Sequence, residues 1–573
     1  MKKILFVLLL VLANMQLKAQ SDNLYYYIKI WGFLKYYHPS IARGGFDVDS
    51  FFVKRLPGAA ATKDNAAFNK EMKEMITSLG TVPPGNIKQD MLFKPFTRNL
   101  DNGWLQKAPL DKELQQSLRY IEENRFQGSQ HRYIFSDYGG DTDEPIFSNI
   151  SYPMPNYQLL ALARFWNIIQ YVFPYKYLIS QNWDDVLRKR IPGIRDAATQ
   201  VDYEKELIQL IAAVDDSHAS NFQIKRGIPV FGEYFPGFAY RFIKDSIVVT
   251  SVFADSVNDI RKGDVIVQIN NMSVAAACKQ KEGFMPASNM ARKKLLYSNP
   301  LYSLPFRGKD SICEIKIWRK GTVLKKRIAL IKINQSFREK VKPALEQYYK
   351  ETGSAPSDYV FKSAAKGIGM IAAMSISKLY EADNTETKVD SVLKMVREHE
   401  QGLIIDLRQY CLQNVIFNKV LPALGYKPKW FADYYSPNIK YPGTLINTHV
   451  KNRMATFSRL ADPTNKEPYK GKIVLLVNEK SQSQSEWVTM ILQAAMKVTV
   501  MGSQTAGADG DIFHFQLPGD YQGTLTGRRV SYPDGTESQR SGVKIDIIQY
   551  PTTAGLTAGR DELMEKAIEF IKK

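Results

Sequence analysis

Only three cysteines, Cys278, Cys313 and Cys411, occur in the chain, far apart and odd in number. That excludes a disulfide framework and a cysteine-built metal cluster. A buried structural thiol is a simpler reading of Cys411 than a nucleophile. Histidine is almost as scarce, with six in 573 residues, so each imidazole that could move a proton near neutral pH can be weighed singly. Past the first residues no stretch is long and apolar enough to span a bilayer. No long low-complexity tract appears, and no basic block alternates with aromatic residues. The formal charge of +19 therefore does not argue for nucleic acid. It suits anionic envelope surfaces or acidic partners, on an ordinary solvated basic surface.

What is present is a chain too long for one core, with 44% hydrophobic and 24% charged residues, the ordinary globular range. Residues 1–19 read as a signal peptide: Lys2 and Lys3, an apolar run Ile4–Leu12, and Ala19 at a plausible cleavage position. With no cysteine near that point, a lipid anchor is not expected. The mature protein is expected to be exported, periplasmic or secreted, with no transmembrane segment once the signal is removed.

The first half contains an internal repeat. A shift of 135 residues lays Leu24, Tyr27, Trp31 and Leu34 over Leu159, Leu162, Trp166 and Ile169, at helical spacing. Pro39 falls over Pro174, Asp49 over Asp184, and Arg55-Leu56-Pro57-Gly58 over Arg190-Ile191-Pro192-Gly193. Phe68, Glu71, Met72 and Met75 fall over Tyr203, Glu206, Leu207 and Leu210, with no gap. Two copies of a small helical unit are expected, residues 20–155 (with an irregular connector, Thr81–Pro155, holding some short strands) and residues 156–227. The copies end differently. The first runs out in a plain turn, Leu79–Pro84, and the second in Val214-Asp215-Asp216-Ser217-His218-Ala219.

The stretch Lys472–Gly510 organises the second half. Ile473–Val477 reads as a buried parallel strand, Ser481–Ser485 as a small polar turn, Trp487–Met496 as a buried helix and Lys497–Gly502 as a second strand. Ser483 and Glu486 fit a capping box, which needs no chemistry. A serine on a strand-to-helix turn also suits a nucleophile, because the helix N-terminus offers free N–H groups to an oxyanion. With Ser481, Ser483, Ser485 and Glu486 followed by Gly502, Thr505 and Gly507, then Asp534-Gly535, Gly542-Val543 and Asp546, and with Asp406-Leu407-Arg408 upstream, the chain resembles the C-terminal processing peptidases, whose tricorn-like members are serine peptidases. The resemblance covers most of the second half and puts the nucleophile on Ser483. It implies a crotonase-like α/β catalytic domain over 336–573.

Two departures stand against that pattern. Many family members place a general-base lysine where this chain has Ala508, and the usual glycine pair after Asp-Leu-Arg is replaced by Gln409-Tyr410-Cys411-Leu412-Gln413. The tricorn-like branch instead closes its helical domain with a Ser-His pair. By that resemblance His218 is the general base and Ser217 helps orient it, while Glu537 is the nearest acid to the position that completes the charge network. Backbone N–H groups at Gln484 and Leu412 would hold the oxyanion. His38, over Phe173 in the repeat, reads as a capping or packing residue, and His514 is the second choice of base.

Residues 228–335 read as a small β module, with strands at Ile247–Ser251, Ile312–Trp318 and Leu324–Ile331, and a turn and strand over Arg261–Asn270 with the turn at Gly263-Asp264. The module is similar to PDZ domains, which bind peptide ends by adding a strand. The fold class expected is therefore multidomain α+β: helical repeats, a PDZ-like module and an α/β domain. The function expected is an exported serine peptidase acting on peptide or protein substrates through an acyl-enzyme, without metal or organic cofactor. A homo-oligomer is compatible with it. The alternatives are an inactive peptide- or ligand-binding protein on the same scaffold, motivated by the two departures, and an esterase or amidase sharing the nucleophile.

Overall fold

The computed structural model describes residues 21–85, 87, 94–107, 109–135, 144–149, 151–253, 259–300, 302–351, 359–373, 375, 385–411, 424, 430–447 and 469–573. The expected signal segment 1–19 and Leu412 lie outside them. The architecture is mixed α+β and divides into two compact units. One comprises Met1–Arg226, Tyr435–Thr448 and Asp511–Arg529; the other comprises Gly227–Tyr434, His449–Gly510 and Val530–Lys573.

The first unit is built from the sequence repeat. Helices α1 (21–37), α2 (Val48–Ala61) and α3 (Asn65–Thr77) form one copy, and α5 (Pro155–Tyr171), α6 (Trp183–Arg195) and α7 (Gln200–Ala212) the other. Equivalent residues do equivalent things. Trp31 Nε1 donates to Val48 O at 2.9 Å and Trp166 Nε1 to Trp183 O at 2.8 Å. Arg55 pairs with Glu71 as Arg190 pairs with Glu206. Other contacts cross between copies reciprocally: Lys29 of the first binds Asp184 of the second at 2.7 Å, while Arg164 of the second binds Asp49 of the first, Nε to Oδ1 at 3.1 Å. Both crossing cations are buried, and each is met by a carboxylate, without which burial of its charge would be costly. At the centre α1 and α5 meet at matching positions. A Cβ on Gly32 would lie 1.8 Å from Asn167 Oδ1, and 32 and 167 are repeat equivalents. Self-matching contacts of this kind are what a two-fold relation between copies requires.

The connector differs from expectation. It contains α4 (Lys112–Glu123), with Asp111 accepting from Leu114 N as its cap and Leu114, Leu118 and Ile121 buried at helical spacing. Where strands were expected, only isolated bridges such as Phe96↔Leu445 occur among the described residues. Two later segments return to this unit. Tyr37 Oη donates to Pro442 O at 2.7 Å, and the antiparallel hairpin Ile512–Leu517/Tyr521–Thr526 packs Phe515 against Phe165 and Phe222. That hairpin was not anticipated from sequence.

The second unit is built on two main sheets. In the first, strands β1 (Phe238–Ile243), β2 (Ser246–Val252), β3 (Val265–Ile269), β4 (Ile312–Arg319) and β5 (Thr322–Ala329) form an antiparallel sheet in that order. Helices α8 (Val274–Gln280) and α9 (Met290–Ser298) pack on it, and α10 (Gln335–Glu351) follows it. Pro343 sits inside α10. The other sheet contains β6 (Phe361–Ala365), β7 (Ile368–Ala372), β8 (Gly402–Asp406), β9 (Lys472–Val477), β10 (Val498–Gly502) and β11 (Ile547–Ile548) as neighbours in that order. Strands β7 to β11 are parallel and β6 is an antiparallel edge. Helices α11 (Thr385–Arg397) and α12 (Gln484–Ala495) cover one face through Val392, Val396, Val488 and Ile491 on Leu403, Ile405 and Leu475. Helix α13 (Glu562–Lys572) covers the other through Ala567 and Ile571 on Ile404, Val474 and Leu476. Burial on both faces explains why these strands read as continuous apolar runs.

Candidate functional site

Ser483 sits where β9 turns into α12. Its φ of 52° and ψ of −113° lie outside the regions a non-glycine residue ordinarily occupies. Such strain persists only where the surroundings impose it, and a strained strand-to-helix turn is how a nucleophilic serine is held out from a sheet. The flanking serines show the contrast. Ser481 Oγ donates to Leu407 O at 2.7 Å, Ser485 Oγ donates to Gln409 O at 2.7 Å, and both residues are fully buried. They stitch the turn to the exit of β8, and Ser483 between them is only half-buried.

Glu486 imposes the strain. Its fully buried carboxylate accepts from Thr505 Oγ1 at 2.6 Å, Gly507 N at 2.8 Å, Ala508 N at 3.0 Å and Ser483 N at 3.2 Å. Burial pushes its carboxyl up, and the four donors pull it back. Ser483 N also donates to Ala508 O at 3.0 Å. The loop after β10 is thus locked onto the serine turn, and its glycines are sterically required. A Cβ on Gly502 would lie 1.8 Å from Val477 O, and one on Gly507 would lie 2.8 Å from the Arg540 backbone. Asp406 and Arg408 pair at 2.7 Å, and Arg408 reaches Asp561 at 2.8 Å.

For the oxyanion, Gln484 is the first residue of α12, where backbone N–H groups lack intrahelical acceptors. In the turn that replaces the glycine pair, Cys411 N donates to Ser485 Oγ at 3.0 Å, which commits that N–H. Glu537 is half-buried in the second unit, where its backbone bridges to Ser531 and its carbonyl accepts from Ser541 Oγ. Lys480, three residues before Ser483, was not singled out from sequence; burial lowers its ammonium to about 8.

His218 belongs to the first unit, in the 3₁₀ turn Ser217–Asn221 after α7. Asp215, at φ 56°, turns the chain and accepts from Ser180 N and Oγ. Asp216 caps the turn and accepts from His218 N at 3.3 Å. The ring Nδ1 lies 2.8 Å from Thr526 Oγ1, and Thr526 meets Asp216 twice, Oγ1 to Oδ1 at 2.7 Å and N to Oδ2 at 2.7 Å. Thr524 Oγ1 donates to His218 O at 2.8 Å. Ser217 is buried beside it, and its carbonyl accepts from Ser220 Oγ. Asp216 and Thr526 were therefore missed as partners of the histidine. Asp216 carried a local signal, an acid two residues before a scarce histidine. Thr526 carried none, since 308 residues separate it from His218.

Among the described residues, the other histidines lie elsewhere: His399 Nδ1 bonds Met395 O at 2.7 Å. His38 is buried, caps the short helix Pro39–Ala42 by accepting from Ser40 N, and burial lowers it to about 4. His131 is likewise lowered to about 4 by burial and bonds Tyr36 O. His514 is exposed on the 512–526 hairpin.

Residues 436–549 match the sequence model of peptidase family S41. The match contains Ser483, Glu486 and the glycine loop and does not reach His218. No curated protein matches the sequence. Among solved structures, mature CPAF is similar with a TM-score of 0.55 at 14% identity, over 73% of this chain and 98% of that one. At that identity the likeness is one of fold. A putative peptidase from Parabacteroides merdae aligns at a TM-score of 0.41 and 14% identity, over 74% of this chain and 97% of that one.

Proposed function

We propose that this chain, an S41-type serine peptidase by its matched segment, hydrolyses peptide bonds with Ser483 as nucleophile and His218 as general base. The observation that carries the reading is the backbone of Ser483, strained at a strand-to-helix turn and clamped by the buried Glu486. Ser483 Oγ attacks the substrate carbonyl as the imidazole takes its proton, and the tetrahedral oxyanion is met by backbone N–H groups, Gln484 first and Leu412 second. The imidazolium returns the proton to the leaving amine, and water then hydrolyses the acyl-enzyme by the same route. Ser217 and Glu537 are kept as secondary supports of the base. The five-stranded module of β1 to β5 suits a PDZ-like role in seating a peptide strand.

The reading includes export, on the signal-like sequence of residues 1–19. Among the described residues, no helix is long and apolar enough to cross a membrane. A second reading, a peptide binder without turnover, draws on the committed Cys411 N–H and on Ala508.

Labelling of the mature protein with a fluorophosphonate, read by intact mass and peptide mapping, separates the two. The expected result is a single adduct on Ser483 that is absent in Ser483→Ala and at least 100-fold slower in His218→Ala. No adduct on a folded wild type would sink the peptidase reading. An adduct undiminished in His218→Ala would move the base elsewhere, with Lys480 and His514 the next to replace.

A further inference from the structure

We infer that Thr526 and Asp216 are positioning residues for His218, forming a hydroxyl-relayed chain that fixes the imidazole as its Nδ1–H tautomer. The catalytic meaning of this rests on the peptidase reading above, but the tautomer itself does not.

The tautomer follows from counting protons. The Asp216 carboxylate can only accept, and it is met by Thr526 N at 2.7 Å, Thr526 Oγ1 at 2.7 Å and His218 N at 3.3 Å. A threonine hydroxyl has one proton. Its bond to Asp216 Oδ1 uses that proton, so toward the ring, 2.8 Å away, Oγ1 can only accept. Nδ1 must then carry the hydrogen, and the lone pair of the neutral ring is left on Nε2, the nitrogen a general base would use. The same carboxylate steadies the imidazolium that forms when Nε2 is protonated, one hydroxyl removed.

The surroundings hold this chain in place. Asp216, His218 and Thr526 are all buried, with Asp216 and Thr526 fully so. Thr524, two residues along the same strand and hence on the same face, donates to His218 O, so one strand grips both the backbone and the ring. Neighbouring acids are engaged elsewhere: Asp215 with Ser180, and Glu204 with Tyr521 Oη and the N–H groups of Lys225 and Arg226. A threonine suits the position beyond its hydroxyl, because a β-branched side chain is stiff at χ1 and holds the oxygen in one orientation. A valine would keep the shape and lose the relay, whereas a serine would keep the relay and lose only a methyl group.

The test uses the full mature chain with histidine labelled by nitrogen-15 in the ring, at a pH where the ring is neutral, with the His218 signals assigned by their loss in His218→Gln. The wild type is expected to show a protonated Nδ1 and an unprotonated Nε2. Thr526→Val is expected to shift His218 toward the Nε2–H form and to slow Ser483 acylation about 100-fold. Thr526→Ser should retain the tautomer and a rate within about threefold of wild type. An Nε2–H tautomer in the wild type overturns the proposal, as does a Thr526→Val protein with unchanged tautomer and rate. If the wild type takes up no fluorophosphonate, the peptidase reading fails while the nitrogen signals still decide the relay. If Thr526→Val does not fold, the wild-type tautomer and the Thr526→Ser comparison decide it.

Discussion

Ser483 holds a backbone conformation that costs on the order of 1–3 kcal/mol, and the cost is offset by the donors that Glu486 gathers. Removing that carboxylate would leave the N–H groups of Gly507 and Ala508 and the Thr505 hydroxyl without their acceptor in a buried place, while Ser483 N would keep Ala508 O. Glu486→Ala is expected to lower stability by about 3 kcal/mol or more. Urea unfolding would read that loss, and the surviving folded protein should label slowly, because the serine turn has lost its clamp. A Glu486→Ala protein as stable as wild type would mean that the strain at Ser483 is held by something else. The three serines of the turn are alike in sequence and separate only in the structure: two hydroxyls are spent on the exit of β8 and one is not.

The repeat makes a prediction at the level of whole elements. His38 and Phe173 occupy equivalent positions after α1 and α5, so the fold tolerates either residue there. Burial holds His38 and His131 near 4, below the usual histidine value of about 6.5. Between those values the unfolded chain binds a proton that the folded chain refuses, so stability falls as pH drops from about 6.5 toward 4. Each histidine can contribute at most about 3 kcal/mol to that loss. His38→Phe should keep stability near pH 7.5 and flatten the acid slope by one histidine, leaving that of His131. Melting temperatures taken from pH 7.5 to 4.5 would show it; an unchanged slope would mean that His38 takes up its proton alike in the folded and unfolded chain. The helix of the connector shows the opposite case. Its Leu114, Leu118 and Ile121 follow helical spacing, but one amphipathic helix among polar turns is a weak pattern beside a repeated one.

On the scale of the whole molecule, 77 basic against 58 acidic residues leave a positive field around the protein. Acidic peptides should therefore be cleaved faster than neutral ones of equal length at low ionic strength. The advantage should shrink as salt rises past about 0.15 M, where screening acts within roughly 8 Å. Steady-state rates on a matched peptide pair across a salt series would test this, and equal rates at every salt would show that the charge has no part in substrate capture. Chain connectivity matters at this scale as well. The segments Tyr435–Thr448 and Asp511–Arg529 belong to the same compact unit as the helical repeat, although they lie deep in the second half of the sequence.

The sequence by itself determined the repeat and its register, the strand and helix order around Ser483 and the antiparallel module. Each of these is written locally, in hydrophobic period, turn residues and motif spacing. Only the tertiary structure decided that Glu486 clamps rather than merely caps, that the glycines of the 502–507 loop face backbone with no room for a Cβ, and that Thr526 and Asp216 lie against His218. The reason is physical. A hydrogen bond to a residue some 300 positions away leaves no trace in local composition. A threonine in a strand reads as a strand-former until the fold shows what its hydroxyl touches.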